Sequence, residues 1–245
     1  MKIVSLVPSA SEILCDLGLN KQLVGVSHEC NYPPILSNLT PVTSSNINSD
    51  ETQREIDNSV RAKVNENLPL YEINTDKINT LAPDIIITQG VCDVCAISND
   101  QVEVMLKGHL CTIPSSTNVI SLNGRSFDGI CQDILMLGDH FNRKERSKEI
   151  VENAIIKKEN MYNMQKHEIR VLCLEWIDPF FSAGHWVPEQ IEMAGLISAI
   201  GKPGDQSRVI TIDEIYESQP DVIAVICCGY NKDKNETFAQ DLFKD

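Results

Sequence analysis

The sequence predicts an α/β fold in which two similar α/β lobes, with sheets of the parallel type, are joined by one long helix and enclose a ligand cleft. A unit of helix, Pro-Asp and apolar strand occurs at residues 81–87 and again at residues 218–224. Continuous apolar strands of this kind are typical of parallel sheets that are covered on both faces. Residues 126–168 have a helical composition without proline. We therefore predict an N-terminal lobe at 1–125, a helical connector at 126–168 and a C-terminal lobe at 169–245.

The first lobe is predicted to open with a strand at residues 3–7 and a helix that begins at a capping box, Ser9 to Glu12. In such a box a serine side chain and a glutamate side chain each bind a backbone amide of the first turn. The order of strand, helix and strand favours a parallel sheet. The further predicted strands are 23–26, 41–45, 85–88 and 119–122, and the further predicted helices are 48–67, 76–81 and 99–108.

The second lobe is predicted to repeat this order after two helices. The predicted helices of this half are 127–139, 143–165, 188–194 and 211–216, and its predicted strands are 169–174 and 222–226. In parallel sheets, ligands bind beyond the carboxyl ends of the strands, so two lobes that face each other would form one cleft.

Charge and hydropathy limit the class of function. The chain has 245 residues, a net charge of −14 and an isoelectric point near 4.7. This charge argues against nucleic acid and against anionic membrane surfaces, because both are bound mainly through lysine and arginine. No apolar run is long enough to span a bilayer. We therefore expect a globular protein with no nucleic-acid partner and no membrane insertion.

The N-terminal residues and the cysteines predict the compartment. Residues 1–8 lead directly into a strand, without the apolar segment and cleavage site of a signal peptide. Nine cysteines, an odd number spread over the chain, are not typical of a secreted disulfide framework. We therefore expect a cytoplasmic protein with mostly reduced thiols.

Residues 175–195 carry the densest set of informative side chains. This segment follows the apolar strand and contains both tryptophans, Trp176 and Trp186. Aromatic faces and a few polar groups at a strand end indicate a small-molecule pocket. The alternative is that the tryptophans close a hydrophobic core, in which case both should be nearly inaccessible to solvent.

The loops at the predicted strand ends supply the candidate binding residues. These are Pro8, Ser9, His28, Glu29, Tyr32, Ser44, Gln89, Glu175, Trp176, His185, Trp186 and Tyr230. Among them, His185 is the best candidate to coordinate a metal, because an imidazole binds cobalt and similar ions. The alternative is a hydrogen-bonded histidine that orients the loop around Trp186.

Cys92 and Cys95 have the spacing of half a zinc or iron–sulfur site, or of a redox dithiol. Together with His185 they are the candidate metal ligands. Ordinary reduced thiols are the alternative, because a structural zinc site requires four ligands and the sequence has no second pair at this spacing.

Several motifs together resemble one protein family. They are Pro8-Ser9-Ala10-Ser11-Glu12, Val24-Gly25-Val26-Ser27, Asn31-Tyr32-Pro33, Leu81-Ala82-Pro83-Asp84-Ile85-Ile86, Gly184-His185-Trp186-Val187-Pro188-Glu189 and Cys228-Gly229-Tyr230. Over essentially its whole length the chain resembles the substrate-binding proteins of ABC importers for cobalamin and iron-siderophores, which have two lobes and a single backbone helix. Within that group it is similar to the subfamily usually labelled cobalamin-binding protein.

The resemblance implies that the chain binds a cobalamin-like corrinoid or a related metal chelate in the inter-lobe cleft, without catalysis. It also implies an ABC importer permease as partner, and relatives that are exported or membrane-anchored. In that family an exposed glutamate on each lobe docks the permease, and Glu189 is a candidate for that role or for a simpler one at a helix N-terminus. Because the family fold continues beyond the strand at 222–226, the second lobe is expected to be small or truncated.

A second hypothesis is a cytoplasmic metal- or thiol-dependent enzyme or redox protein on the same fold. Carboxylates at strand ends are suited to general acid–base catalysis. No nucleophile elbow, phosphate-binding glycine loop or zinc-protease signature accompanies them, and binding is therefore the preferred hypothesis. The residues of this alternative site are Cys92, Cys95, His28, Glu175 and His185, and the candidate acid–base carboxylates are Glu175, Asp178 and Glu29.

Overall fold

The chain folds as an α/β protein, as predicted, in a computed structural model that describes residues 1–66, 68–91, 102, 117–163 and 165–242. Its residues group into two compact units, each discontinuous in sequence. Unit 1 comprises Met1–Asp50, Ser59–Gly124 and Gln132–Lys148, and unit 2 comprises Glu51–Asn58, Arg125–Cys131 and Glu149–Asp245. The sequence-based division, by contrast, placed single boundaries after residues 125 and 168.

Unit 1 is built on a sheet whose strands all run parallel. The strands are β1 (Ile3–Ser5), β2 (Leu23–Val26), β3 (Thr40–Pro41), β6 (Ile85–Gln89) and β7 (Asn118–Leu122), in the order β3-β2-β1-β6-β7. A separate antiparallel pair consists of β4 (Thr43–Ser45) and β5 (Tyr71–Ile73). The helices of this part of the chain are α1 (Pro8–Asp16), α2 (Gln53–Asn65) and α3 (Thr75–Leu81), with a 3-10 turn at Pro34–Asn38.

The core of unit 1 follows from its apolar strands. Every residue of β1 and β6 is buried, as expected for strands covered on both faces. One cluster of this core is formed by Val4, Leu6, Val42, Ile78, Ile86 and Val102.

Unit 2 is built on a mixed sheet. Its elements are β8 (Arg170–Ile177), β9 (Phe180–Ser182), α6 (Val187–Met193), β10 (Ile197–Ser198), β11 (Arg208–Val209), α7 (Ile212–Ser218), β12 (Val222–Val225) and α8 (Lys232–Asp241). Two further helices, α4 (Phe127–His140) and α5 (Lys144–Tyr162), precede them in the chain. The core cluster of unit 2 consists of Leu172, Leu174, Ile210 and Ile215.

The prediction of parallel-type sheets holds only in part for unit 2. Strand β8 pairs in parallel with β10 and β12, but β9 runs antiparallel to β8 and to β11. The cause is the short connection at Asp178 and Pro179, because two strands joined by so few residues can pair only as a hairpin.

The repeated Pro-Asp unit has the same hydrogen bonds in both units. After α3, Asp84 accepts a bond from the backbone N–H of Lys2 (2.7 Å), and the Lys2 ammonium donates to Leu81 O (2.9 Å). After α7, Asp221 accepts from the backbone N–H of Arg170 (2.7 Å), and the Arg170 guanidinium donates to Ser218 O (2.8 Å). Each aspartate thus ties the start of one parallel strand to the next.

One predicted helix start is wrong. Helix α1 begins at Pro8, with Val7 as its N-cap and no side chain bonded to its first amides, so Ser9 and Glu12 form no capping box. Proline at the first helical position lacks the amide that would need a cap, and its ring favours the helical φ, which places Ser9 inside the helix. A capping box does form at α7, between Thr211 and Glu214.

Other predicted elements shift by a few residues. The predicted strand at 41–45 is divided between β3 and β4, which belong to different sheets. The predicted helix at 99–108 lies outside the described residues except for the buried Val102. Within the described residues no helix is both long and apolar enough to cross a bilayer.

Candidate functional site

The carboxyl ends of β1 and β2 in unit 1 carry a network of small polar side chains. Ser11 Oγ donates to Ser5 Oγ (2.9 Å) and lies 3.1 Å from Cys30 Sγ. All three residues are buried. Burial raises the pKa of the Cys30 thiol, so this cysteine stays protonated at neutral pH and serves as a partner of Ser11.

His28 is held at the end of β2 by Thr43. Thr43 Oγ1 accepts a hydrogen bond from the backbone N–H of His28 (3.0 Å), lies 2.7 Å from His28 Nδ1 and donates to Ser27 Oγ (3.3 Å). His28 Nε2 is buried and makes no hydrogen bond within the described part of the chain. Glu29 Oε1 lies 3.4 Å from it, so the structure brings His28 and Glu29 together, as an ion pair whenever the imidazole is protonated.

The other candidates of unit 1 differ widely in exposure. Pro8 is half-buried as the first residue of α1, and Ser9 and Ser44 are exposed. Tyr32 is 61% exposed. Gln89 is buried at the end of β6, where its Oε1 accepts a bond from the N–H of Val91 (2.5 Å). Gln89 therefore holds the following turn.

In unit 2, the end of β8 presents Trp176 from a fixed position. Its indole N–H donates to the backbone carbonyls of Asp178 (3.1 Å) and Gln53 (3.2 Å). Asp178 forms a two-bond ion pair with Arg54, in which Nε donates to Oδ2 at 2.9 Å. The ring of Trp176 remains half-buried, so it belongs to a surface and does not close a core.

Tyr230 lies beside Trp176 at the edge of an open hollow. The two ring centroids are 5.9 Å apart and tilted by 39°, an offset arrangement that aromatic pairs favour. The hollow has a volume of about 610 Å³ and mixes apolar with a few polar side chains. Its lining residues are Val225, Ile226, Cys227, Tyr230, Lys232, Asn235, Glu236 and Ala239.

His185 and Trp186 lie on a loop that is tied to the chain before β11. His185 has a positive φ of 55°, its N–H donates to Asp205 O (2.6 Å), and its carbonyl accepts from Gly204 N (2.8 Å). Its ring lies 5.7 Å from that of Trp186, which is 37% exposed. Neither tryptophan is nearly inaccessible, and the core alternative is therefore wrong for both.

Glu175 contacts the segment before β11, which also holds the loop of His185 and Trp186. Its Oε2 accepts a hydrogen bond from Ser207 Oγ at 2.5 Å. Close packing explains the glycine at position 184, because a Cβ there would lie 2.3 Å from Ser207 N. Glu175 thus has a hydroxyl partner in the described structure.

Glu189 lies inside unit 2 and is only 9% exposed. Its carboxylate accepts bonds from the Lys158 ammonium and from Phe127 N, each at 2.8 Å. Burial alone would raise the pKa of this carboxyl, but the two hydrogen bonds and the charge of Lys158 lower it overall. The arrangement favours a structural ion pair at the start of α6, and the exposed docking role is wrong for this residue.

Sequence reasoning missed Gln53, which links the ends of two strands in unit 2. Its side chain accepts a hydrogen bond from Ile177 N (2.8 Å) and donates to Cys227 Sγ (3.2 Å). A signal was present, because positions 53, 56 and 60 share one helix face, and the residues at two of them, Ile56 and Val60, are apolar. The polar composition of residues 48–67 gave no indication that the side chain of Gln53 is buried.

Metal and thiol chemistry gain no support from the described residues. No three His, Cys, Asp or Glu side chains converge there as a metal site would require. Cys92 and Cys95 lie outside the described residues, and their role as ligands remains a prediction. Burial raises the pKa of the thiols at Cys15, Cys30, Cys131, Cys173 and Cys227, which disfavours the reactive thiolate form.

The chain is similar to known proteins in sequence and in fold. The sequence matches the family described as periplasmic binding protein over residues 3–245. No match is found among curated proteins. The name of the matched family does not support the expectation of a cytoplasmic protein, and its description as a binding protein does not support the enzyme hypothesis.

Solved structures share the fold at low identity. The periplasmic vitamin B12 binding protein BtuF of Vibrio cholerae has a TM-score of 0.62 and 21% identity, covering 91% of this chain and 75% of its own. The periplasmic heme binding protein HutB of Vibrio cholerae has a TM-score of 0.65 and 19% identity, covering 92% and 76%. IsdE of S. aureus, complexed with heme, has a TM-score of 0.68 and 17% identity, covering 100% and 82%.

Proposed function

Because the chain belongs to the periplasmic binding protein family, as its motifs predicted, we propose that it binds a cobalamin-like corrinoid or a related metal chelate and has no catalytic activity. The observation that carries this proposal is the ring contact between Trp176 and Tyr230, the second of which lines the hollow of unit 2. A flat macrocycle offers a large apolar face, and half-buried aromatic rings bind such faces well because little ordering is required.

The surroundings of this aromatic pair suit a ligand with polar side arms. Lys232 and Glu236 line the same hollow as Tyr230, so one cation and one anion are available to charged or amide groups at a macrocycle's rim. The names of two structural relatives, for vitamin B12 and for heme, support this class of ligand.

The binding experiment uses hemin, cyanocobalamin and cobinamide as separate probes, each titrated into the protein and followed by absorbance and calorimetry. We expect at least one probe to bind. Trp176→Ala and Tyr230→Ala should each weaken its affinity about tenfold or more, which corresponds to about 1.4 kcal/mol.

Tyr216→Ala is the matched control, because Tyr216 is a 74% exposed tyrosine on α7 in the same unit. It should leave the affinity within about twofold, the range expected for a surface change away from the ligand. If no probe binds at high micromolar concentration, the proposed ligand class is excluded. If Tyr216→Ala weakens binding as much as Tyr230→Ala, the aromatic pair is not the binding surface.

We also propose that the protein delivers its ligand to an ABC importer permease. This proposal rests on the family and on a structural relative named as an ABC transporter substrate-binding protein from Listeria monocytogenes, which has a TM-score of 0.70 and 14% identity. Copurification of the tagged protein with such a permease from detergent-solubilised membranes, stronger with ligand than without, tests it. Absence of the permease under both conditions would count against it.

A further inference from the structure

Gln53 is a buried polar residue that lies far in sequence from everything it contacts. It is 5% exposed, and it is separated from Trp176 by 123 residues and from Cys227 by 174 residues. A buried amide is retained where its hydrogen bonds are satisfied, since an unpaired one is costly. Its partners therefore indicate what it holds in place.

Three of its polar groups bind the two strand ends that carry the aromatic pair. On the β8 side, Gln53 Oε1 accepts from Ile177 N (2.8 Å), and Gln53 O accepts from the indole of Trp176 (3.2 Å). On the β12 side, Gln53 Nε2 donates to Cys227 Sγ (3.2 Å). Only a group with one acceptor and one donor can make both side-chain bonds.

The bond to Cys227 extends to Tyr230 through Asn235. The N–H of Cys227 donates to Asn235 Oδ1 (2.6 Å), and Asn235 Nδ2 donates to Tyr230 O (3.1 Å). Tyr230 also packs edge-on against Phe238, with centroids 5.1 Å apart. The loop from Cys227 to Tyr230 is thus fixed at one end by Gln53 and along its length by Asn235.

We propose that Gln53 is a positioning residue, which holds Trp176 and Tyr230 side by side and so sets the affinity for a flat ligand that it does not touch. This inference rests on the proposed function of the aromatic pair. The adjacent Arg54, which is bonded to Asp178, supports the same end of β8 from the next position of α2. The amide of Gln53 therefore positions two rings, one on β8 and one in the loop after β12.

The first test needs no ligand. In a Trp186→Phe background Trp176 is the single tryptophan, so acrylamide quenching reports its exposure alone. Gln53→Leu should raise the quenching constant about twofold and shift the emission to longer wavelength. The reason is that Ile177 N and Cys227 Sγ lose their side-chain partner, which loosens the end of β8 that carries Trp176, although the indole N–H keeps its bond to the backbone carbonyl of residue 53. Gln190→Leu, at an exposed glutamine of α6, is the control and should change neither. Identical quenching in Gln53→Leu and the parent would overturn the proposal.

The second test uses the probe that the wild-type protein binds best. Gln53→Leu should weaken its affinity about tenfold, whereas Gln190→Leu should stay within about twofold. If the wild-type protein binds no probe, the proposed function fails, and quenching alone decides whether Gln53 positions Trp176. If the probe binds and Gln53→Leu leaves its affinity unchanged, Gln53 has no positioning role.

A conservative variant separates hydrogen bonding from space filling. In Gln53→Glu, burial should raise the carboxyl pKa, and the protonated acid retains both an acceptor and a donor, whereas the carboxylate is an acceptor only. The titratable groups around it are Cys227, Glu175 and the Arg54–Asp178 pair. We expect this variant to match the wild-type affinity near pH 5 and Gln53→Leu near pH 8, each compared with wild type at the same pH. Wild-type affinity at both pH values would show that Gln53 only fills space.

Discussion

The two units share one hydrogen-bonding arrangement where their parallel strands begin, and they differ where those strands end. Asp84 and Asp221 each accept a 2.7 Å bond from a backbone N–H at the start of a neighbouring parallel strand. The donors are Lys2, just before β1, and Arg170, the first residue of β8. At the carboxyl edge, unit 1 gathers serine, threonine and histidine around β2, whereas unit 2 gathers aromatic rings around β8 and β12. The aspartate bonds at the strand starts, which recur in both units, support the sheets. The side chains at the carboxyl ends differ between the units, and the two ends can therefore bind different groups.

The largest expected effects come from the separate cores. Ile86→Ala in unit 1 and Leu174→Ala in unit 2 each remove a fully buried side chain and should lower the free energy of unfolding by about 3 kcal/mol. Amide hydrogen exchange should show the loss of protection mainly in β6 and its neighbours for the first, and in β8 and β12 for the second. Equal loss in both sheets for either variant would show that the two cores open together.

The next largest expected effect depends on pH and concerns an ion pair of unit 2. Glu189→Ala removes an ion pair within unit 2 and should cost about 2 kcal/mol near pH 7, less than for a fully buried pair because Lys158 keeps some contact with solvent. The folded pKa of Glu189 lies below its ordinary value, so its contribution is present above the unfolded pKa and is lost as pH falls through the folded pKa. Chemical denaturation of wild type and Glu189→Ala at several pH values between 7 and 3 measures this loss of stability.

The difference between wild type and Glu189→Ala should therefore shrink on acidification. Glu192→Ala is the control, since Glu192 is an exposed glutamate of the same helix α6. A difference that is the same at pH 3 and pH 7 would mean that packing, and not charge, explains the effect.

A smaller effect is expected at the carboxyl edge of unit 1. Thr43→Val keeps the side-chain volume but removes the oxygen that accepts from His28 N and contacts His28 Nδ1. Leaving these groups without a partner should lower the free energy of unfolding by about 1–2 kcal/mol. Nitrogen-15 NMR of the imidazole, compared with a Thr40→Val control at an exposed threonine of β3, reports whether the contact at His28 Nδ1 is lost. An unchanged ring spectrum would contradict the assigned network.

The smallest effect tests the equivalence of the aspartate bonds at the strand starts. Asp84→Ala and Asp221→Ala each remove one carboxylate bonded to a backbone N–H, and each should cost about 1 kcal/mol, the usual net value of such a bond. Chemical denaturation of the two variants should give values that agree within experimental error. A cost several times larger in one unit would show that the two aspartates are not equivalent.

Sequence patterns predicted the elements whose chemistry is local. The Pro-Asp units, the apolar strands and the α/β class follow from hydrophobic runs and turn residues, and the tryptophan segment was placed at a strand end. What could not be predicted depends on partners far away in the chain. Gln53 meets residues 123 and 174 positions later, and Glu189 is buried because Lys158 reaches it. No local periodicity contains either pairing.

The discontinuity of unit 2 has a consequence for how the protein folds. The segment Glu51–Asn58 belongs to unit 2, although the longest segment of that unit, Glu149–Asp245, lies much further along the chain. The bonds of Gln53 close a loop of well over a hundred residues, and contacts of such sequence separation form late because chain entropy opposes them. The aromatic pair should therefore reach its final order after the strands of unit 2 have paired, and the isolated fragment 149–245 should lack that last step.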